Sequence, residues 1–523
     1  MLLLVALSFI NSQNIVILTT SFLKDDSKLS HPYPPYNGDT LYVGPDGNDS
    51  YTREQAMNYN TPWLTIQKAV DESEAGDFII VKDGVYKASE KYNSVVCIEW
   101  DWGEDTNWRI LKAEHEHKAV INGSSMDQKY GILIGDSDYW FIEGFEICSV
   151  YVDGIHYEAS NHDIYLYHNK IHAVCRDTVE DWFWGYDGIF IKRDSWNTTI
   201  DGNIIYDIGR FPDPAIDGPW SDNYKHDHGI YAQGYITIIN NIIYDCPAGW
   251  AIKVDGNDIG DPGFTHIIAN NTFANINLFN PQRPGFIRMV KSADCDYKPR
   301  ALIVNNLFYD PPVIDSCRHA VDMSYNYKTV VVNCLTNRNS IIETRAQYFD
   351  SVEIINCYTD YSPYFVDIEK MDFHISDSSF CIDKGIADSV PDYDMDMYER
   401  PQGSGYDIGA YEYHEGSSSF PDEERKWYEL NISSIINNEI AINYSVERRE
   451  YINISIYDML GRETTVLVDG IRNPGHYSLF KKVDIASGTY FIVMKTQTST
   501  KTQKFIYFSN ISINYNYLPK VPM

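Results

Sequence analysis

Short apolar runs, each broken by a polar pair, recur through the middle of the chain. FIEGFEI (141–147), LYHNKIHAV (166–174), IDGNIIYDI (200–208), ITIINNIIYD (236–245), IIANNTFANI (267–276), LIVNNLFYD (302–310), VVVNCLT (330–336) and EIINCYT (353–359) align on the second residue of that break. The column so defined is Phe145, Asn169, Asn203, Asn241, Asn271, Asn306, Cys334 and Cys357, at intervals of 24, 34, 38, 30, 35, 28 and 23 residues. Periods of this size mark a stacked array. Asn tolerates left-handed backbone angles, and its amide can bond to the next unit, so the Asn column reads as structural.

A second pattern follows the first. DGIHYE (from Asp153), DGIFIK (from Asp187), HGIYAQ (from His228), WAIKVD (from Trp250), GFIRMV (from Gly285) and HAVDMS (from His319) share one alternation of apolar and polar residues. Each repeat is therefore expected to hold two short strands joined by an Asn-bearing bend, with longer excursions accounting for the uneven intervals. This predicts an all-β right-handed parallel β-helix, in which equivalent residues of successive coils stack about 4.8 Å apart. Ile155, Ile189, Ile230, Ile252, Ile287 and Val321 form the expected interior column. The next residue in each coil then faces out: His156, Phe190, Tyr231, Lys253, Arg288 and Asp322. A second outward column is expected at the strand starts, Asp153, Asp187, His228, Trp250, Gly285 and His319.

The strand LYV, then PWLTIQKAV, in which Trp63, Ile66, Ala69 and Val70 make a helical stripe after Pro62, and then GDFIIVKDGVY predict a helix that closes the open end of the stack. This segment resembles the amino-terminal cap of the bacterial right-handed β-helix family that includes many polysaccharide lyases, the pectin-lyase fold. The far end, CIDKGIADSVPDYDMDMYERPQGSGYDIGAYEY (381–413), resembles the closing segment of many secreted bacterial β-helix proteins. The solenoid is thus placed at 39–415 and a Ser- and charge-rich linker at 416–428. Alternating strands over 429–509 predict a small β-sandwich. Its IYDMLGRE, LVDG, GHYS and IASGTYF closely resemble the type A carboxy-terminal sorting domain of the type IX secretion system of Bacteroidota-like bacteria, which implies that the secretion machinery is a partner. A tail occupies 510–523.

Composition narrows the function. The chain has 523 residues, 42 Lys and Arg against 74 Asp and Glu, and a net charge of -32, which excludes a nucleic-acid role because no basic stripe offsets this field. Its 41 Tyr suit packing against sugar rings. Nine Cys without a CxxC spacing argue against zinc and read as buried thiols, with Cys334 and Cys357 one coil apart in register. Residues 1–30 begin with an apolar, signal-like run that lacks a basic start, and no later segment reaches the length of a membrane span. A secreted or surface monomer is expected.

The resemblance at the cap implies a glycan substrate, and β-elimination on a uronate polymer gives the outward residues roles. Arg288 suits the substrate carboxylate through its planar fork. Lys253, beside that positive charge, is the expected base, and Tyr231 or His228 the proton donor. His156, Phe190, Trp250, Asp322 and His319 are expected to bind sugar. Calcium through Asp153, Asp187 or Asp255 is the expected cofactor, with the HDH triplet at 226–228 and the Asp-rich 392–399 as other metal sites. The plain alternative makes Lys253 and Arg288 surface residues paired with Asp255 and Asp322. The excursions at 175–187 and 208–228, rich in Trp, Tyr and Asp, are expected to wall the site. A glycoside hydrolase using Asp153 and Asp187, or a surface adhesin with no chemistry, are the rival functions.

Overall fold

The computed structural model describes residues 34–507 apart from 88–92, 100–106, 124–127, 176–184, 210–225, 247–248, 257–264, 277–284, 292–299, 311–318, 325–327, 339, 345–351, 415–429, 437–438, 447–449, 460, 473–474, 484 and 497–499. The signal-like start, the linker and the tail therefore fall outside the described residues, as do Cys295 and Cys317. Two compact units emerge, one of residues 1–364 with 375–416 and one of 365–374 with 417–523.

Alternating side chains need one face buried along every strand, and stacking coils is how short strands achieve it. The first unit does so with three parallel sheets, of 11, 9 and 9 strands among the described residues. One coil shows the order: Trp196–Asp201 in the first sheet, Ile204–Ile208 in the second and His228–Ala232 in the third. Each coil thus has three strands where the repeat alone suggested two. The polar pair is the corner between the first and second sheets, and the excursions enter between the second and third. Consecutive coils pair in strict register, as in Ile155 with Ile189, Ile189 with Ile230, Ile230 with Ile252 and Ile252 with Ile287. All six residues of the expected interior column are 0% exposed.

The polar pair divides two tasks between its members. The first residue takes the left-handed backbone, with φ from 48° at Asn356 to 79° at Gly144, and includes His168, Gly202, Asn240, Asn270, Asn305 and Asn333. The left-handed residue is therefore not the one in the ladder column, as the sequence reading had placed it. The second residue is extended enough for its amide to bridge coils. Phe145 N–H donates to Asn169 Oδ1 at 3.1 Å, Asn169 N–H to Asn203 Oδ1 at 2.8 Å, and Asn203 N–H to Asn241 Oδ1 at 2.8 Å. Asn241 N–H donates to Asn271 Oδ1 at 2.9 Å and Asn271 N–H to Asn306 Oδ1 at 3.0 Å. Their Nδ2 groups donate back to carbonyls one coil down, Asn241 to Ile200 O at 2.8 Å and Asn306 to Ile268 O at 2.7 Å. Cys334 and Cys357 end the column as free thiols, each donating to a carbonyl two residues earlier.

The first end of the stack is capped, and the closing segment runs along its flank. The helix Ile66–Glu72 starts at the cap residue Thr65, later than Pro62, and buries Ile66, Ala69 and Val70. Its Gln67 side chain accepts from Cys97 N–H at 2.7 Å and donates to Cys97 O at 2.8 Å, so an amide replaces the missing neighbour of the first strand in the third sheet. The closing segment is pinned to the left-handed Asn column: Asn333 donates to Lys384 O, Asn305 to Ile386 O, Asn270 to Gly409 O and Asn240 to Tyr393 O. Arg400 crosses this segment fully buried, bonded to Glu412 at 2.6 Å, and Asp394 accepts backbone N–H groups from Asp396, Tyr398 and Glu412. Asp394, within the Asp-rich 392–399, thus organises a turn.

The second unit contains antiparallel sheets of three and four strands, with Ile440, Ile442, Ile452, Ile454, Ile456, Ile492 and Met494 in its core. Its MLGR turn closes with Arg462 Nε donating to Asp458 Oδ2 at 2.7 Å and Gly461 at φ 75°.

Replacing Asn241 by Leu strands Asn203 N–H inside the stack and removes the amide's own bond to Ile200 O. We expect a loss of about 1–3 kcal/mol in chemical denaturation. Unchanged stability would contradict the ladder.

Candidate functional site on the third sheet

The expected outward column lies on the outer face of the third sheet, in one line across the coils. His156 pairs with Phe190, Phe190 with Tyr231, Tyr231 with Lys253, Lys253 with Arg288 and Arg288 with Asp322. Its early half is aromatic. Tyr130 stacks on His156 at 4.2 Å between ring centroids, His156 on Phe190 at 5.0 Å, and Phe190 meets the Tyr231 ring edge-on at 5.5 Å. Its later half is charged. Lys253 Nζ sits 4.1 Å from the centre of the Tyr231 ring, a cation–π contact. Arg288 lies over Trp250 at 4.6 Å and gives Nη1 to Asp322 Oδ2 at 2.8 Å. Arg288 is thus paired with Asp322, the partner that the plain alternative names. Asp255 instead receives the Tyr231 hydroxyl at 3.3 Å, and Gln233 Nε2 donates to that hydroxyl at 2.9 Å.

The second expected outward column is not on this face. Asp153, Asp187, His228 and Trp250 are buried, at 3%, 2%, 0% and 1% exposure, Gly285 is buried, and His319 is half-buried. Alternation is the reason: a residue two positions before an interior Ile points to the same side as that Ile. These residues form a second coil-to-coil ladder. Asp187 N–H donates to Asp153 Oδ1 at 2.6 Å, His228 N–H to Asp187 Oδ1 at 2.9 Å and Trp250 N–H to His228 Nδ1 at 3.1 Å. His228 is accordingly a fully buried corner residue whose Nδ1 accepts a backbone proton, which takes it off the outer face where a solvent-facing proton donor was expected. Trp250 supports Arg288 from beneath. Asp153 and Asp187, named for calcium and for the hydrolase pair, are buried and bridge coils, whereas Asp255 stays on the outer face.

The true second column lies two residues after the first: Glu158, Lys192, Gln233 and Asp255. The same alternation, counted forwards, reveals it. Glu158 Oε2 meets His156 Nε2 at 3.1 Å, while Asp153 Oδ2 holds His156 Nδ1 at 2.6 Å. Most of the excursions expected to wall the face, 176–184 and 210–225, fall outside the described residues.

The electrostatics follow from burial and neighbours. Burial lowers the His156 pKa, but hydrogen bonds to Asp153 and Glu158 outweigh it, and the net shift is upward. Burial, then Asp255, push the Tyr231 hydroxyl well above its ordinary value, so it keeps its proton. Burial, then Asp153, hold the Asp187 carboxyl well above the usual carboxylate range, while Lys253 pulls the other way.

A carboxyl whose folded pKa is raised keeps a proton that the unfolded chain releases. Its penalty is absent below the unfolded value and grows as pH rises toward the folded value. Asp187→Asn keeps the Oδ1 acceptor for His228 N–H and removes the buried charge. The variant should match the parent's melting temperature near pH 4 and exceed it by a few degrees near pH 8. A pH-independent difference in melting scans would contradict a buried carboxyl here.

Comparisons with known proteins match the two units separately. Residues 41–201 match the family model for a Pel9A-like, right handed beta helix region, and residues 436–507 match the model for a secretion system C-terminal sorting domain. No curated protein matches the sequence. Among solved structures, the pectate lyase Pel9A is 16% identical, covering 73% of this chain and 98% of its own, with a TM-score of 0.43. An alginate lyase from a Paenibacillus species is 14% identical, covering 56% and 94%, with a TM-score of 0.36. A glycoside hydrolase is 7% identical, covering 65% and 99%, with a TM-score of 0.39. The chain is a right-handed parallel β-helix with a Pel9A-like region, followed by a type IX sorting domain that marks it for export, to be secreted or held at the cell surface.

Proposed function

We propose that the protein is a secreted carbohydrate-active enzyme, a polysaccharide lyase that cleaves a uronate-containing glycan by β-elimination on the outer face of the third sheet. One observation carries the reading: Tyr231, Lys253 and Arg288 succeed one another in register, about one strand spacing apart. A uronate presents its leaving oxygen, its acidic carbon and its carboxylate in the same linear order. Arg288, steadied by Asp322 and by Trp250 beneath it, pairs with the carboxylate through its remaining nitrogens. Lys253 takes the proton from the adjacent carbon. Tyr231, protonated before the reaction, delivers its hydroxyl proton to the departing oxygen and is reprotonated by water, to which Lys253 returns the proton it took, while Gln233 Nε2 orients the Tyr231 oxygen. Tyr130, His156 and Phe190 extend the site as a stacking platform for further sugar rings.

Incubation with a panel of acidic and neutral polysaccharides should yield unsaturated products, read by ultraviolet absorbance. Lys253→Ala and Arg288→Ala should each lower turnover at least about a hundredfold, with the double variant little worse than either. Lys253→Arg should fail too, since a guanidinium stays protonated and cannot accept the proton. New reducing ends without unsaturation would replace the lyase with a hydrolase, and retention without cleavage would make the face a binding surface.

Export has its own test. Removing residues 429–523 should leave a folded solenoid that accumulates in the periplasm of a host with type IX secretion. Normal release of the truncated chain into the medium would contradict the sorting role.

A further inference from the structure

The outer face of the second sheet gathers a chemistry that the glycan site does not use. Glu146 and Cys148 alternate on the strand Glu146–Val150, so both point outward. Lys170 and His172 stand beside them on Lys170–Val174, in register with Glu146 and Cys148 respectively. One ligand atom each of Glu146, Cys148 and His172 lie within 4.8 Å of one another. His172 Nε2 is 2.7 Å from Glu146 Oε1, while Lys170 Nζ is on the other carboxylate oxygen, Oε2, at 3.4 Å.

Two contacts hold this trio in place. Tyr206 stacks on the His172 ring at 4.8 Å and 6°, fixing the plane in which Nε2 points. Asn122, one coil below, directs Nδ2 at Cys148 Sγ from 3.7 Å, a donor suited to a thiolate.

We propose that Glu146, Cys148 and His172 bind a divalent cation of the zinc class, clamping two neighbouring coils. A sulfur, an imidazole nitrogen and a carboxylate oxygen are zinc's ligands, whereas calcium and magnesium take shells of oxygen. Three protein ligands leave a fourth position for water. The absence of a CxxC spacing, which argued against zinc, does not apply here: the ligands come from two coils, so their sequence separation is set by the solenoid period.

The test uses the full chain, reduced, stripped with a chelator and titrated with Co(II) as the visible probe for zinc. The expected result is saturation at about one equivalent, a thiolate-to-cobalt charge-transfer band displaced by Zn(II), and a melting temperature that rises with metal. Cys148→Ser should abolish the band. His172→Ala should weaken binding at least tenfold, and Asn122→Ala by roughly tenfold, with the ligands themselves intact. A band that persists in Cys148→Ser, or a parent chain that binds no Co(II), would overturn the proposal. Should Cys148→Ser fail to fold, His172→Ala decides, because unchanged affinity there also overturns it.

Discussion

The bend amide is the interaction on which this solenoid depends. A coil that turns a corner between two sheets must leave a backbone N–H inside the stack, where an unmade hydrogen bond costs about 1–3 kcal/mol. The Asn column meets that need in the coils from Asn169 to Asn306, each side chain accepting from the bend below and returning a donor to a carbonyl of that coil. Because the amide reaches only one strand spacing, it also fixes which residue sits over which. The Asp153, Asp187 and His228 ladder repeats the device at the start of the third sheet.

Register makes the outer face addressable. With the bend pinned in the coils from Asn169 to Asn306 and the third-sheet start pinned from Asp153 to Trp250, insertions between the second and third sheets leave the third-sheet strands aligned, which is why intervals from 23 to 38 residues still give one straight column. The face then runs from stacked rings to a Lys and an Arg, and the aromatic part positions what the charged part acts upon. The buried carboxyls behind it, Asp153 and Asp187, give the corner a polar lining without putting acid on the surface.

Much of this was legible in the sequence, for a physical reason. A ladder requires the same residue at the same place in every coil, so Asn169 to Asn306 announce themselves, and period-two alternation then assigns Ile155 and His156 to opposite sides. Alternation also contained the error at Asp153, Asp187, His228 and Trp250: a polar residue at a strand start was read as solvent-facing, although its parity with Ile155 put it inside. Left-handed backbone at Asn240 rather than Asn241 was hidden because Asn serves either role. The pinning of the closing segment by Asn240, Asn270, Asn305 and Asn333, and the meeting of Glu146 with His172, join residues whose separations follow no local motif. Only the assembled register shows them.

The central claim is that the outer face of the third sheet holds the glycan. Hydrogen exchange of the full chain, with and without a uronate oligosaccharide on the Lys253→Ala background to prevent turnover, tests it most directly. The account predicts slower exchange in His228–Ala232, Ile252–Gly256 and Ile287–Lys291, with the first and second sheets unchanged. Protection confined to the first or second sheet would contradict it.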